Sequence, residues 1–267
     1  MRRYVSIAFL LGLLVASPVL AQDTPIAIDT VPNFIGVGLA TVPDYLGSDD
    51  YTIAIGLTGR LGLGGERFIQ LSGPLLTANL INHPNLQLGP ALRFRRGRDD
   101  VDDDVVDRMA DIDSTFEAGL LIGFKYVNPT NRRQRFRAGV TFTHDVAGEH
   151  EGFVIDVFAR AWWPLSKRFD VGLGAGLTFA DDDYMETYFS VTPSDAMRSG
   201  LPIFDAEGGV RDFRVFPTVV WHLSRHWHLG AGLRYSRLVS DAEDSPVVDD
   251  RGSANQLAAG AAILYSW

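Results

Sequence analysis

The sequence has no cysteine among its 267 residues. A disulfide framework is therefore excluded, and so is the lipid-modified cysteine of a lipoprotein signal.

Long apolar runs are also scarce. The run from Val5 to Leu14 follows Arg2 and Arg3 and leads into small residues that end at Ala21. This order predicts a cleaved secretory signal peptide, residues 1–21, with a single membrane anchor over 5–21 as the alternative. No later stretch approaches the roughly 20 apolar residues of a membrane helix. A mature chain that enters a membrane must therefore do so as β-strands.

Basic residues are outnumbered by acidic ones. The chain has 24 Lys and Arg against 33 Asp and Glu, and its net charge is −9. Loss of the signal removes two arginines, which leaves 22 basic residues and a charge of −11. Without a basic stripe, an acidic chain of this kind is not a nucleic-acid binder. Its 27 glycines and 11% aromatic residues are high for an acidic soluble protein.

Several segments of about ten residues alternate between apolar side chains and small or polar ones. The segment 115–126 is typical, since its apolar set is Phe116, Ala118, Leu120, Ile122, Phe124 and Tyr126. Segments 135–145, 168–179, 227–235 and 254–267 repeat the pattern. A soluble β-sandwich also alternates, but here the second face is rich in glycine and aromatics cluster at segment ends. The sequence thus predicts an all-β fold, a transmembrane antiparallel up-and-down β-barrel.

Connection lengths predict the topology, because outer-membrane barrels join their strands by short periplasmic turns and long external loops. Alternating short and long connections give twelve strands, with external loops at 42–50, 96–113, 146–152, 181–209 and 239–253. A tight external hairpin at Gly73-Pro74 is needed for this count, and without it the count falls to ten. The resulting boundaries are a periplasmic N-terminal segment at 22–32 and the barrel at 33–267.

No catalytic, cofactor or metal site is expected. The acidic stretch 96–113 lacks the spacing of a calcium loop and is interpreted as a solvated acidic loop that contains a short helix. The triplet at 181–183 is interpreted in the same way, and weak, nonspecific binding of divalent cations stays open. His144 beside Asp145 lies near the predicted outer rim with His150, but no serine motif accompanies them. We interpret His222 and His228, next to Trp221 and Trp227, as anchors at the membrane interface. The chain is therefore expected not to be an enzyme.

The face opposite the apolar one carries charges that would point into the barrel. They are Arg93, Arg95, Glu117, Lys125, Arg135, Arg137, Asp156, Arg160, Asp170, Asp212, Arg214 and Arg234. Such charges either pair with one another across a closed barrel or line a narrow aqueous pore. The sequence leaves both interpretations open.

Three stretches carry a family resemblance. They are "VPDYLGSDDY" (42–51), the long segment 184–212 and the final hairpin 232–267. The chain resembles the MipA/OmpV family of outer-membrane proteins, whose signature loop corresponds to Asp44, Tyr45, Gly47, Ser48, Asp49 and Asp50. The family usually ends on an aromatic-basic-phenylalanine tail, whereas this chain ends on Tyr265-Ser266-Trp267. Tyr265 and Trp267 are the expected signal to the barrel-assembly machinery.

The resemblance implies a location and a set of partners. The location is the outer membrane of a Gram-negative bacterium, with lipid and lipopolysaccharide around the barrel. The implied function is a scaffold that links a murein hydrolase, a lytic transglycosylase, to a murein synthase. A narrow porin-like channel for small solutes is the alternative, and adhesion through the acidic outer loops is the third.

Overall fold

The computed structural model describes residues 32–267. The predicted signal peptide and all but the last residue of the segment 22–32 lie outside them. Within 32–267 the chain forms twelve strands. They are β1 (Phe34–Pro43), β2 (Tyr51–Gly62), β3 (Phe68–Ser72), β4 (Leu75–Asn79), β5 (Leu86–Arg95), β6 (Thr115–Val127), β7 (Arg135–Asp145), β8 (Phe153–Pro164), β9 (Phe169–Ala180), β10 (Gly209–His222), β11 (Trp227–Leu238) and β12 (Asn255–Ser266).

Each strand pairs antiparallel with the next, and β12 pairs with β1 to close the barrel. The closing register runs from Phe34 opposite Ser266 to Thr41 opposite Ala259. The predicted up-and-down barrel and its count of twelve are confirmed, because β3 and β4 form a real hairpin around Gly73-Pro74.

Alternation along the strands gives the barrel an apolar outer wall. In β2 the outward side chains Ile53 and Ile55 are 73% and 75% exposed, while the inward residues Ala54 and Gly56 beside them are small. Apolar side chains on the outer wall are typical of a membrane barrel, whose outward band contacts lipid. Trp163, Trp221 and Trp227 lie outward at the strand ends where the connections are short, as an interfacial aromatic belt requires.

The wall has two irregular places. The hairpin strands β3 and β4 are five residues each, and β4 pairs with β5 through only three residue pairs. In β10 the register shifts between Val210 and Asp212. A bulge of this kind adds one residue to a strand, so that Arg211 and Asp212 are both buried on the inside.

The outer end carries a folded cap, defined here as the loops 44–50, 96–114, 146–152, 181–208 and 239–254. It contains α1 (Asp182–Phe189), α2 (Pro193–Ser199), α3 (Asp241–Asp244), α4 (Pro246–Asp249) and a one-turn 3-10 helix at Val106–Arg108. No helix within 32–267 is long and apolar enough to cross a membrane.

The hydrophobic core of the molecule sits in this cap. Tyr184, Met185 and Phe189 of α1 pack with Leu238 and Val248, all essentially without solvent contact. Val101, Val106 and Met109 form a second cluster with Val191 and Val247. The stretch 96–113 is an acidic loop with a short helix, as expected, but its Val101, Val106 and Met109 are buried in the cap while Asp99, Asp104 and Asp111 are exposed. Asp182 and Asp183 are exposed as well.

Candidate functional site: the capped lumen

The outer half of the lumen contains a paired charge network. Glu117 of β6 is completely buried, accepts hydrogen bonds from Arg95 and Thr143, and lies 3.3 Å from His150 Nε2. Asp156 accepts from Arg93 and, at 2.8 Å, from Arg214 Nη2. Arg211 donates to Asp212 at 2.7 Å. Every one of these four arginines has a carboxylate partner, as buried charges require.

One cap residue ties this network to the loops. The hydroxyl of Tyr184 in α1 accepts a hydrogen bond from Arg95 at 2.9 Å and from Arg211 at 2.6 Å. The Arg95 guanidinium also lies 4.7 Å from the centre of the Tyr184 ring. Because α1 is anchored to arginines of β5 and β10, which belong to different parts of the wall, it lies across the lumen.

Hydrogen bonds between loops hold the cap together. Arg251 Nη2 donates to Asp103 at 2.6 Å, and the backbone N–H of Ala110 donates to Asp195 at 2.8 Å. Burial alone would raise the pKa of Asp103, but the hydrogen bonds from Arg251, Val106 and Val105 hold it below its ordinary value. The pKa of Asp195 is likewise lowered despite burial, by hydrogen bonds from Thr192, Arg198 and Ala110.

The family signature loop belongs to this cap. Asp44 accepts hydrogen bonds from Arg96 and the N–H of Asp102, and the buried Tyr45 donates its hydroxyl proton to the carbonyl of Arg251. Gly47 has φ +105°, and its N–H donates to Gln256. The hydroxyl of Ser48 accepts the N–H of Asp50, whereas Asp49 is exposed. Tyr45 and Gly47 thus join the first loop to the final hairpin, and Asp44 joins it to the loop 96–114.

Seven of the twelve charges predicted for the lumen are Glu117, Lys125, Arg135, Arg137, Asp156, Arg160 and Arg234, and all seven face inward. Glu117 and Asp156 belong to the paired network, and Lys125 forms a salt bridge with Glu66 at the end where the turns are short. The remaining four are Arg135, Arg137, Arg160 and Arg234, for which residues 32–267 supply no salt-bridge partner. These four arginines line a cavity of about 1110 Å³, whose wall also includes the paired charges and residues from both ends of the barrel.

Two histidines lie inside the barrel, whereas the sequence analysis places them at the membrane interface. His222 and His228 are buried inside the barrel, not anchored at the interface. Their Nδ1 atoms are 2.8 Å apart, His222 Nε2 lies 3.0 Å from Asp170, and Asp170 also pairs with Arg133. The alternation of residues along β10 and β11 already places His222 and His228 on the inner face, so the sequence contained the information needed for this assignment. His150 is buried beneath Tyr184 and Tyr188, while His144 lies elsewhere, on the exposed face.

The chain terminus packs at the periplasmic end. The N–H of Trp267 donates to the carbonyl of Asn33, and its ring stacks on Tyr265 at 6.4 Å between centroids. Both side chains face outward. Their role as an assembly signal stays a prediction.

A closed antiparallel barrel with an apolar outer wall, aromatic strand ends and long loops at one end defines a β-barrel of the outer-membrane class. The model of one family, described as "MltA-interacting protein MipA", matches residues 35–267. The chain belongs to this family, as the resemblance predicted.

Two curated relatives are outer-membrane proteins of Gram-negative bacteria. Outer membrane protein OmpV of Vibrio cholerae is 28% identical over 129 residues, and Omp26La of Vibrio anguillarum is 27% identical over 132 residues. Each alignment covers 46% of this chain and 46% of the relative, so the chain spans about half the length of the curated relatives it matches.

Solved structures with a similar outline are also outer-membrane barrels. An outer-membrane channel from Pseudomonas putida F1 superimposes with a TM-score of 0.46 at 14% identity, over 89% of this chain and 96% of that one. OprB of Pseudomonas putida gives 0.42 at 11% identity, over 89% and 94%.

Proposed function

We propose that this barrel is a non-enzymatic interaction protein of the cell envelope that docks murein-processing enzymes at its periplasmic rim. The observation that supports this proposal is the cap, which packs two hydrophobic clusters over the outer end of the lumen. A barrel closed in this way does not offer solutes a free path, so its accessible surfaces carry the function.

The periplasmic rim has the chemistry of a docking surface. We define the rim as the five short turns 63–67, 80–85, 128–134, 165–168 and 223–226. It carries a single acidic residue, Glu66, and the basic residues Arg67, Arg132, Arg133, Lys167, Arg168 and Arg225. The cap has the opposite charge, with 25 acidic and five basic residues. The rim therefore favours an acidic partner surface on the periplasmic side.

The family description supports the kind of partner. It names an interaction with MltA, and the resemblance stated above implies a lytic transglycosylase held next to a murein synthase. For this chain the murein hydrolase and the murein synthase are proposed partners, with the rim as the contact surface.

The test measures binding of both murein enzymes to the full-length protein inserted in nanodiscs. The variant Arg132→Gln, Lys167→Gln, Arg168→Gln, Arg225→Gln should weaken binding by about tenfold or more and flatten its salt dependence. The matched control changes four exposed cap acids, Asp99→Asn, Asp104→Asn, Asp111→Asn and Asp249→Asn, and should bind like the wild type. Equal binding by the rim variant would refute the rim as the docking surface.

The narrow channel is the second candidate. It is favoured by the cavity of about 1110 Å³ with its charged lining. A channel would require the cap to move, and the conductance experiment in the Discussion separates the two functions. Adhesion through the acidic cap stays a prediction.

A further inference from the structure

Four arginines in the periplasmic half of the lumen differ from those in the outer half. Arg60, Arg135, Arg137 and Arg160 lie near the periplasmic ends of β2, β7 and β8 and line the same cavity. Arg93, Arg95, Arg211 and Arg214, higher in the barrel, each bond a carboxylate. No salt bridge within residues 32–267 involves any of the lower four.

Strand register forces like charges together. Arg137 lies directly opposite Arg160 on β8 and directly opposite Lys125 on β6. Like charges at directly opposed positions destabilise a sheet. This arrangement of like charges costs stability, so a compensating group is expected.

Aromatic rings supply part of the compensation. The guanidiniums of Arg60 and Arg137 lie 3.9 Å and 5.9 Å from the centre of the Phe68 ring. Those of Arg160 and Arg135 lie 4.4 Å and 5.1 Å from the centre of the Trp162 ring. Each ring thus serves two cations, which orients the guanidiniums but leaves their charge unneutralised.

Hydrogen-bond donors in this group are also unused. The Nε–H groups of Arg60, Arg137 and Arg160 are buried and have no acceptor among the described residues. Arg160 donates elsewhere only to the neutral hydroxyl of Thr218, at 2.7 Å. Several guanidinium N–H groups without acceptors around one cavity can together donate hydrogen bonds to a bound oxyanion.

We propose that the arginine–aromatic cluster, made of Arg60, Arg135, Arg137, Arg160, Phe68 and Trp162, binds a small organic anion that carries a carboxylate or a phosphate. The planar guanidinium fork binds either group through two parallel hydrogen bonds, and the two rings offer apolar faces to the rest of the ligand. The cap covers the outer end, so the ligand enters from the periplasmic end.

The test uses full-length protein extracted from the outer membrane in detergent, titrated with glucuronate, glucose 1-phosphate and uncharged glucose. Binding is followed by tryptophan fluorescence and by calorimetry. Trp163, Trp221, Trp227 and Trp267 face outward, so Trp162 reports on the cavity, and Trp162→Phe should abolish the optical signal. At least one of the two anions should bind, with affinity falling as sodium chloride rises, and glucose should not. The two anionic ligands separate carboxylate from phosphate recognition.

The variant Arg60→Gln, Arg137→Gln, Arg160→Gln should weaken anion binding by about a hundredfold or more, because three charged donors are lost. The charge-matched control Arg108→Gln, Arg198→Gln, Arg237→Gln, outside both the cavity and the rim, should bind within about twofold of the wild type. Heat-modifiable migration in electrophoresis verifies that each barrel is folded. Equal affinity in a folded lumen variant, equal binding of glucose, or no anion binding by the wild type would each overturn the proposal.

Discussion

At the scale of single residues, Glu117 is a carboxylate in the interior of the barrel. It has no solvent contact, and it accepts from Arg95 and Thr143 beneath Tyr184. Replacing it by Gln leaves Arg95 buried without a countercharge, which costs about 3–5 kcal/mol for a buried pair. We expect Glu117→Gln to lower the urea midpoint of unfolding in detergent markedly. Glu66→Gln removes an acid from a half-exposed pair and should change the midpoint little.

Inward glycines are not equivalent. A Cβ added at Gly119 would lie 1.8 Å from the carbonyl oxygen of Phe142, whereas one added at Gly56 meets nothing within 4 Å. Gly119→Ala should destabilise the barrel by about 1–3 kcal/mol, because the β6–β7 ladder must shift. Gly56→Ala is the matched control and should be neutral or slightly stabilising. Urea titration of both variants checks this, and equal midpoints would contradict it.

Strand parity explains how far the sequence predicts individual residues. It places Arg137 and Arg160 inside correctly, because period-two alternation is all that the assignment needs. It misses Arg211, which points inward because of the bulge before Asp212. It also cannot separate paired arginines from unpaired ones, since that depends on which strand ends meet across the lumen.

At the scale of elements, the cap should loosen in acid. The folded-state pKa values of Asp103 and Asp195 are lowered, so their contribution to stability is complete above the ordinary aspartate pKa. It is lost as the pH falls from about 4 through the lowered folded-state values.

Because the chain has no cysteine, a single Met197→Cys substitution places one spin label on α2, where Met197 is 82% exposed. Label mobility should rise below about pH 4, while a label at Leu165→Cys on the rim should not respond. A mobility profile that does not change with pH at residue 197 would show that these two carboxylates do not hold the cap.

The strands were predictable, whereas in the cap only a short helix within 96–113 was predicted, which the structure has at Val106–Arg108. The strands have a regular period over about ten residues, whereas α3 and α4 are only four residues long. Signals for α2 were present in the sequence, with Thr192 as N-cap, Pro193 in the first turn and Gly200 at the end with φ +82°. Connection lengths place them in the external loop 181–209, but these lengths do not predict its internal structure.

At the scale of the whole molecule, the cap decides whether ions pass. The wild-type barrel in a planar bilayer should be silent near neutral pH. Replacing residues 182–207 by a short Gly-Ser linker should produce stepwise currents with a preference for anions, because the exposed lumen is rich in arginine. Steady steps from the wild-type protein would instead favour the channel function.

The short β3–β4 hairpin has a mechanical consequence. Three residue pairs join β4 to β5, against ten between β5 and β6 and eight across the β1–β12 closure. If an external force pulls the barrel open, we expect the strands to separate first between β4 and β5, because this pairing has the fewest residue pairs. The opened barrel would then be a single sheet whose two edge strands are β4 and β5, while β1 and β12 remain paired.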